Sequence, residues 1–217
     1  MRRDLPVAAA FAVTTALLLT ACGGQGDGTD RSGALAGADR ATPESVPASR
    51  SASQPADHRP EITLPNDLSD RFENWKTGDA TKDAVLADGR LAQTAMNDAI
   101  IEGTPDTPGL TFYYKGEALT SSARWVRKWL DAGITYTGTT RYYSPKVRIL
   151  GTGSASLTYC ADESKAFNRN RKTKQVDRTP AGNDSYVLYD TRLEKNAQGV
   201  WQTSEGTSVR GSSTCAR

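Results

Sequence analysis

The sequence predicts an α+β domain in which N-terminal helices pack on a curved antiparallel sheet of four strands. The first half of the domain carries apolar residues at the spacing of amphipathic helices. The second half is rich in β-branched and aromatic residues and is divided by short glycine-containing turns. Because the helices precede the strands instead of alternating with them, the order favours α+β over a parallel α/β sheet.

Three helices are expected. Residues 79–103 begin at an N-cap candidate, Asp79 or Thr81, continue with apolar groups at helical spacing and end at a glycine. Residues 121–133 place tryptophan, valine and leucine on one face and arginine and lysine on the other, with a final glycine as the cap. A shorter helix is expected over residues 67–75.

The strands follow the last helix. Ser144-Pro145 marks a bend or bulge within the first strand, and a GTG turn separates that strand from the second. A basic loop, residues 165–178, then leads to a final hairpin that turns at Ala197-Gln198-Gly199. The four expected strands cover residues 134–150, 154–164, 185–196 and 199–210.

The chain opens with the parts of a secretory signal peptide. Arg2 and Arg3 form a basic start, and an apolar run over residues 5–19 leads to small residues at a cleavage site. In a helix such a run covers about 22 Å, whereas the hydrocarbon core of a bilayer is about 30 Å thick. Residues 1–21 are therefore interpreted as a leader. The paired arginines favour the twin-arginine export route and Pro6 disfavours it, so that route and the general secretory route both stay open.

The end of the leader, Leu19-Thr20-Ala21-Cys22, resembles the lipobox of bacterial lipoproteins. The resemblance implies cleavage between Ala21 and Cys22 and a diacylglycerol thioether on the sulfur of Cys22, often with a further acyl chain on the new amino terminus. Two acyl chains anchor a protein stably in a membrane. The expected location is thus the outer face of the cytoplasmic membrane. The alternative is an ordinary signal peptide followed by a chance cysteine.

Residues 22–62 are expected to form a disordered tether. Gly, Ala, Ser, Thr, Pro, Asp and Arg dominate this stretch, and such a composition buries too little apolar surface to offset the entropy of ordering. About 40 flexible residues have an r.m.s. reach of about 35 Å. Residues 63–217 then form one globular domain, a size that accommodates a single core.

The cysteine count favours a disulfide. The sequence has three cysteines, and an odd number in an exported protein leaves one thiol to explain. If Cys22 carries lipid, Cys160 and Cys215 remain, in a compartment where disulfides persist. A bridge between them closes a loop of about 55 residues, to which the chain-entropy model assigns about 4 kcal/mol. The alternative is two free thiols.

The layout of the domain, with its basic amphipathic helix and curved strands, resembles the nuclear-transport-factor-2-like cone fold shared by ketosteroid isomerases and polyketide cyclases. Enzymes of that fold place an acid or base and a tyrosine in a pocket between sheet and helices. By that resemblance the candidate carboxylates are Asp162 and Glu163, and the candidate tyrosine is Tyr136, Tyr142, Tyr143 or Tyr159, although the isomerase pattern of a pocket aspartate with a tyrosine matches no specific position. Neighbours on a strand face opposite ways, so the two carboxylates are not expected to pair as acid and base. The alternative is solvated carboxylates at a strand end and tyrosines that serve packing.

Several chemistries lack their residues. His58 is the one histidine of the sequence and lies in the tether, so a histidine-dependent triad has no base. The cysteines are scattered, without the spacing of zinc ligands. The GTGSAS stretch, residues 151–156, lacks the third glycine of a dinucleotide-binding turn. No catalytic residue, metal or cofactor is assigned.

The basic loop is the strongest local charge feature. It holds six basic residues and one acidic residue, although the formal net charge of the chain is only +2. Arg169, Arg171, Lys172 and Lys174 are the candidate anion-binding residues. Outside the cell the expected partner is an anionic envelope polymer or an acidic protein, and nucleic acid is not expected. The alternative is a solvated loop that joins two strands.

These features predict a lipid-anchored cell-envelope lipoprotein whose domain binds a ligand or partner without catalysis. The alternative is an isomerase- or cyclase-like enzyme that acts on a small apolar substrate in the cone pocket. A pocket lined by aromatic residues would favour carriage of an apolar small molecule.

Overall fold

The computed structural model describes residues 59–216, and within them helices pack on one sheet, as the α+β prediction requires. The signal peptide, the lipidation site at Cys22 and most of the predicted tether, including His58, lie outside the described residues. In chain order the elements are β1 (Leu68–Phe72), α1 (Ala80–Glu102), α2 (Pro108–Tyr113), α3 (Gly116–Asp131), β2 (Ile134–Gly151), β3 (Ser154–Asn170), β4 (Val176–Asp177), β5 (Tyr186–Lys195) and β6 (Trp201–Arg210).

The sheet contains the four expected strands and two more. Its order is β1-β2-β3-β5-β6, with β4 paired to β3 at the side. The four long strands β2, β3, β5 and β6 run antiparallel to their neighbours, whereas β1 runs parallel to β2. The described part of the sheet is therefore six-stranded, with a four-stranded antiparallel centre.

The two long helices begin and end close to the predicted positions. The side chain of Asp79 accepts hydrogen bonds from the backbone N–H groups of Thr81 and Lys82, which makes it the N-cap of α1. The glycine in the middle of α1, Gly89, marks close packing, since a Cβ there would lie 2.5 Å from the side chain of Leu157 on β3. Helix α3 begins five residues earlier than expected, at Gly116.

Two local predictions are wrong. Residues 67–75 hold the strand β1 instead of a short helix, because Leu68 and Phe72 face the core while the backbone pairs with β2 over its whole length. This tertiary pairing overrides local propensity. The basic segment is not all loop either, because β3 continues as a strand to Asn170. Helix α2 was not predicted.

The long pair β2–β3 is bent by bulges. Register shifts occur at three places, one of them between Tyr143 and Lys146, which confirms the bend predicted at Ser144-Pro145. A bulge adds a residue to one strand and bends it. Gly138 of β2 adopts φ 102°, a left-handed conformation, and a Cβ at this position would lie 2.1 Å from the carbonyl oxygen of Lys165.

A disulfide joins Cys160 of β3 to Cys215, with 5.5 Å between the two Cα atoms. Both cysteines are buried against Tyr143, whose hydroxyl donates a hydrogen bond to the carbonyl oxygen of Cys215. The neighbours of Cys160 on β3, Tyr159 and Ala161, belong to the separate cluster that packs under α1. The C-terminal segment is therefore fastened to the sheet face opposite the helices.

The segment just before β1 is tied to the domain. The guanidinium of Arg59 forms an ion pair with Asp88 of α1, a carboxylate that is only 2% exposed. The other oxygen of Asp88 accepts the backbone N–H of Trp201 at 2.8 Å. Ile62 packs against the core near Gly109. The ordered domain thus includes residues 59–62, which the sequence analysis placed in the tether.

We expect Gly138→Ala to lower the free energy of unfolding by about 2 kcal/mol or more. The substitution combines a positive φ with a collision against the backbone of β3, and neither is relieved by moving a side chain. Urea denaturation of the variant measures the loss. Gly151→Ala is the matched control, because a Cβ at that β2 position meets nothing within 4 Å. Equal stability of the two variants would contradict the account of the bend.

Candidate functional site

A cavity of about 530 Å³ lies between the helices and the inner face of the sheet. Helix α1 contributes Gln93, Met96, Asn97 and Ile100 to its wall, α3 contributes residues from Ala118 to Trp129, and the strands supply the remaining lining. This volume lies within the range typical of small-molecule sites, roughly 300–1,000 Å³. The cavity, named here the inner cavity, is the candidate site.

Aromatic rings make up much of the wall. Tyr159 stacks on Tyr189 with ring centroids 5.0 Å apart, and Trp129 lies against Tyr136 at 5.6 Å. These contacts between rings hold the wall in shape without filling the space. Eight aromatic side chains line the inner cavity: Tyr114, Trp125, Trp129, Tyr136, Tyr142, Tyr159, Phe167 and Tyr189.

The hydroxyl of Tyr136 is buried in this wall and has no hydrogen-bond partner among the described residues. The whole residue is only 8% exposed. Burial, with a further contribution from the nearby carboxylate of Asp70, raises the pKa of Tyr136 well above its ordinary value. The hydroxyl therefore keeps its proton at any physiological pH and is an available donor.

A second set of polar side chains forms a connected chain beside the cavity. The hydroxyl of Tyr159 donates to Oε1 of Gln93 at 2.9 Å, and Nε2 of Gln93 donates to Oδ1 of Asn97 at 3.2 Å. Nδ2 of Asn97 donates to both carboxylate oxygens of Asp70, at 2.9 and 2.8 Å, and to the hydroxyl of Tyr142 at 3.1 Å. From Tyr159 through Gln93 and Asn97 each donor points towards Asp70, whose carboxylate ends this branch, while the bond from Asn97 to Tyr142 forms a side branch.

Asp70 has a perturbed acidity. Burial raises the pKa of Asp70 from 3.8 to about 6, although the hydrogen bonds from Asn97 and Thr94 oppose the shift. The carboxylate lies in the middle of β1, between two residues that face the core. Of the bonded pair Asp70 and Asn97, it is Asn97 that lines the inner cavity.

An ion pair lies in the wall that the inner cavity shares with a second depression. The guanidinium of Arg210 lies 2.8 Å from a carboxylate oxygen of Glu163, and it also donates to the backbone oxygen of Asp184 at 2.7 Å. The second depression has a volume of about 790 Å³ and is named here the outer groove. The inner cavity and the outer groove adjoin, because seven residues line both: Trp125, Trp129, Glu163, Ala166, Phe167, Asn168 and Arg210.

The structure brings together four of the six residues that the cone resemblance nominated. Tyr136, Tyr142, Tyr159 and Glu163 line the inner cavity. Asp162 is instead paired with Arg141 at 3.1 Å, and Tyr143 packs with the disulfide on the opposite side of the sheet.

The expectation that Asp162 and Glu163 face opposite ways is confirmed. Glu163 lines the inner cavity and pairs with Arg210, whereas Asp162 pairs with Arg141 away from it. The two neighbouring carboxylates have separate partners and do not form an acid–base pair.

Two of the four candidate anion-binding residues already have partners within the chain. Arg169 forms an ion pair with Asp67. The guanidinium of Arg171 donates to the backbone oxygens of Ile134 and Ile101, at 3.0 and 3.1 Å, and to that of Ile100. Arg171 thus satisfies carbonyls at the C-terminal end of α1. Lys172 and Lys174 are exposed.

Residues 59–216 hold no group of His, Cys, Asp and Glu side chains suited to binding a metal ion. None of the helices in this range is both long enough and apolar enough to cross a membrane.

Sequence reasoning missed Asp70, Gln93 and Asn97. The sequence predicts a helix around Asp70, where the structure has a strand. Gln93 and Asn97 lie in α1, which the sequence predicts from the spacing of its apolar residues alone. One signal was present: Gln93 and Asn97 are four residues apart, so they occupy the same face of α1. A polar pair on the core-facing side of a helix requires partners.

No protein-family model and no curated protein matches this chain. Solved structures do resemble it. A ketosteroid isomerase-like protein from Erwinia carotovora atroseptica SCRI1043 is 18% identical with a TM-score of 0.43, over 59% of this chain and 95% of that one. The intermembrane space region of the chloroplast protein ARC6 is 14% identical with a TM-score of 0.37, over 59% and 97%. A putative ketosteroid isomerase from Shewanella frigidimarina NCIMB 400 is 14% identical with a TM-score of 0.28, over 64% and 99%. Likenesses this low assign no activity to the chain.

We expect the stability of the domain to depend on the protonation of Asp70. Because its pKa is raised from 3.8 to about 6, the folded state binds the proton more tightly than the unfolded state. The resulting stabilisation is complete below about pH 4 and is lost as the pH rises through about 6, on the order of 3 kcal/mol in total. Asp70→Asn keeps the shape and removes this dependence.

The measurement is the difference in unfolding free energy between wild type and Asp70→Asn, followed from acidic to neutral pH. The variant should gain on the wild type as the pH rises. Asp190→Asn, at an exposed position of β5, is the control and should show no such trend. A constant difference between wild type and Asp70→Asn would mean that the pKa of Asp70 is the same in the folded and the unfolded chain, which would contradict its raised pKa.

Proposed function

We propose that this chain is a lipid-anchored envelope protein whose domain binds a small, largely apolar molecule carrying a hydrogen-bond acceptor. The binding site is the inner cavity, and Tyr136 donates the hydrogen bond. The acceptor is an uncharged oxygen such as a carbonyl. The domain holds or carries this molecule without changing it.

The unpartnered hydroxyl of Tyr136 carries the proposal. Burying a hydroxyl without a partner costs roughly 1–3 kcal/mol, and proteins rarely leave this cost uncompensated. Tyr136 lines a cavity large enough for a small molecule, and its hydroxyl oxygen is covered by neighbouring atoms of the wall, so a ligand reaches it through a local shift of that wall. An acceptor atom of a bound ligand would satisfy the hydroxyl, which explains why a tyrosine stands where phenylalanine would suffice for packing.

The rest of the wall fits an apolar body. The other polar groups near it, on Gln93, Asn97, Tyr142 and Tyr159, already bond to one another or to Asp70. Few of their donors and acceptors are therefore free to bond to a ligand. The binding energy must then come mainly from contact with aromatic rings, which suits a molecule with a large apolar surface.

A second candidate is an isomerase- or cyclase-like enzyme. The pKa of Asp70, raised to about 6, favours it, because acid–base catalysis works best when the pKa lies near the working pH. Two observations weigh against it. Asp70 meets the cavity through Asn97, and Glu163 is held in an ion pair with Arg210. We therefore rank binding above catalysis.

The cellular setting is part of the same proposal. The leader and its lipobox-like end at Cys22 support export and acylation, and the Cys160–Cys215 bridge is consistent with an oxidising compartment. The element order supports assigning the domain to the nuclear-transport-factor-2-like folds. Contact with an anionic envelope polymer or acidic protein, if it uses the basic segment, would rest on the exposed Lys172 and Lys174.

We expect Tyr136→Phe to erase a preference for ligands that carry a carbonyl. The probes are 2-acetylnaphthalene, which has an acceptor oxygen, and 2-ethylnaphthalene, which has the same shape without it. Wild type should bind the ketone about threefold to tenfold more tightly, since one hydrogen bond contributes about 0.5–1.5 kcal/mol. The variant should bind both equally, as measured by fluorescence titration.

The unliganded variant gives an independent readout. Removing a buried hydroxyl that has no partner should leave the stability of Tyr136→Phe equal to that of wild type or slightly higher. Tyr186→Phe, outside the inner cavity, is the control and should keep the preference for the ketone. An unchanged preference in Tyr136→Phe, together with a loss of stability, would show that the hydroxyl serves the fold and not a ligand.

We expect the mature wild-type chain to begin at an acylated Cys22. Mass spectrometry of the amino-terminal peptide from the membrane fraction tests this. Cys22→Ser should abolish acylation because the serine hydroxyl cannot form the thioether, whereas Cys160→Ser should leave the anchor in place. A wild-type amino terminus without lipid, or a native chain free in the cytosol, would refute the anchor and the proposed location.

A further inference from the structure

We propose that the ligand is an amphiphile with an uncharged, hydroxyl-rich head, of the alkyl glycoside class. Its largely apolar part, which carries the acceptor oxygen for Tyr136, occupies the inner cavity, and its head lies in the outer groove. This inference rests on the proposed function, because it uses the same inner cavity for the apolar part.

The two spaces are placed to take one molecule. They adjoin at Trp125, Trp129 and Phe167, and the Glu163–Arg210 pair lies beside this junction. A ligand that fills the inner cavity therefore has its outer end at the boundary of the groove. A molecule with chemically different ends would match both spaces at once.

The outer groove has the chemistry of a site for a neutral polyol. Its polar lining consists mainly of hydroxyl, amide and carboxylate groups, which hydrogen-bond to alcohols as donors and acceptors. These side chains belong to Ser164, Asn168, Thr179, Asn183, Asp184 and Ser185. The inner cavity differs in its larger share of aromatic rings, although it also carries serine and threonine hydroxyls and shares Asn168 with the groove.

An exposed indole completes this chemistry. Trp125 lines both spaces and is 44% exposed, which is unusual for the largest apolar side chain. It meets Trp129 edge to face with ring centroids 6.2 Å apart, so the position of the ring is defined. Sugar rings present C–H groups on one face, and a flat indole gives that face a surface to stack on.

The charges of the groove argue against an ionic head. Two cations, Lys128 and Arg210, stand with two carboxylates, Glu163 and Asp184, so the formal charges of the lining cancel. Arg210 is already paired with Glu163, and the ammonium of Lys128 lies 5.4 Å from the ring centroid of Trp125. An anionic or cationic head would meet a like charge or displace one of these contacts.

The test compares three amphiphiles with the same tail: octyl glucoside, octyl sulfate and octyltrimethylammonium. Each is titrated calorimetrically, below its micelle concentration, into the full chain carrying Cys22→Ser, so that no acyl chain of the protein competes. We expect octyl glucoside to bind at least tenfold more tightly than the two ionic amphiphiles. Free glucose should bind far more weakly than octyl glucoside, because it lacks the apolar part.

Variants assign the effect to the groove. Trp125→Ala should weaken binding of octyl glucoside about tenfold and that of octyl sulfate by less, because both tails lose contact with the indole but only the glucoside also loses a stacked head. Ile149→Ala is the matched control, since Ile149 is also an exposed apolar residue, 41% exposed, but lines neither space. Thermal unfolding of both variants confirms that the fold is intact, as expected for exposed side chains.

The outcomes separate this inference from the proposed function. Equal binding of all three amphiphiles, or tightest binding of an ionic one, would overturn the neutral head while leaving the inner cavity as a binding site. Glucose binding as tight as that of octyl glucoside would overturn the link between the two spaces. Failure of all three amphiphiles and of both naphthalene probes would overturn the proposed function itself.

Discussion

The bent pairing of β2 with β3 is the constraint on which the rest of the domain depends. These are the two longest strands, of 18 and 17 residues, and a flat pair of that length would leave the helices no concave surface. The bulges and the left-handed Gly138 bend the pair. Helices α1 and α3 then span the concave side without filling it, and the inner cavity is the space that remains.

Polar groups are distributed unevenly around that space, and the selectivity proposed for the cavity rests on this unevenness. Asn97 gathers Gln93, Tyr142 and Asp70 into one bonded set on the side of α1 and β1. Tyr136 is left out of it. A cavity whose polar groups were all satisfied would accept apolar molecules by size alone. One unsatisfied donor at a fixed position also selects for the position of an acceptor atom.

Local signals in the sequence were sufficient for α1, for most of α3 and for the hairpins, because caps, glycines and periodic apolar residues act within a few positions. The opposite orientation of Asp162 and Glu163 followed from the two-residue period of a strand. Contacts between distant segments left no such signal.

Asp70 and Arg171 both depend on contacts between distant segments. Asp70 meets Asn97 across 27 positions of sequence, and β1 forms only because β2 offers it a backbone edge. Likewise, nothing near Arg171 reveals that it will lie beside the last carbonyls of α1. Its charge alone suggested an external anion, whereas the fold uses it internally.

The pair of bonds at Asp88 has a mechanical consequence. Arg59 stands where the chain enters the domain, and the carboxylate that holds it also holds the first residue of β6. Arg210, where the inner cavity meets the outer groove, ends the same strand, nine residues and so about 30 Å away. A pulling force applied to the chain before Arg59 is therefore transmitted to the first residue of β6, Trp201, and to the middle of α1. Under such a pull the junction of the inner cavity and the outer groove, beside Arg210, lies away from the loaded end of β6.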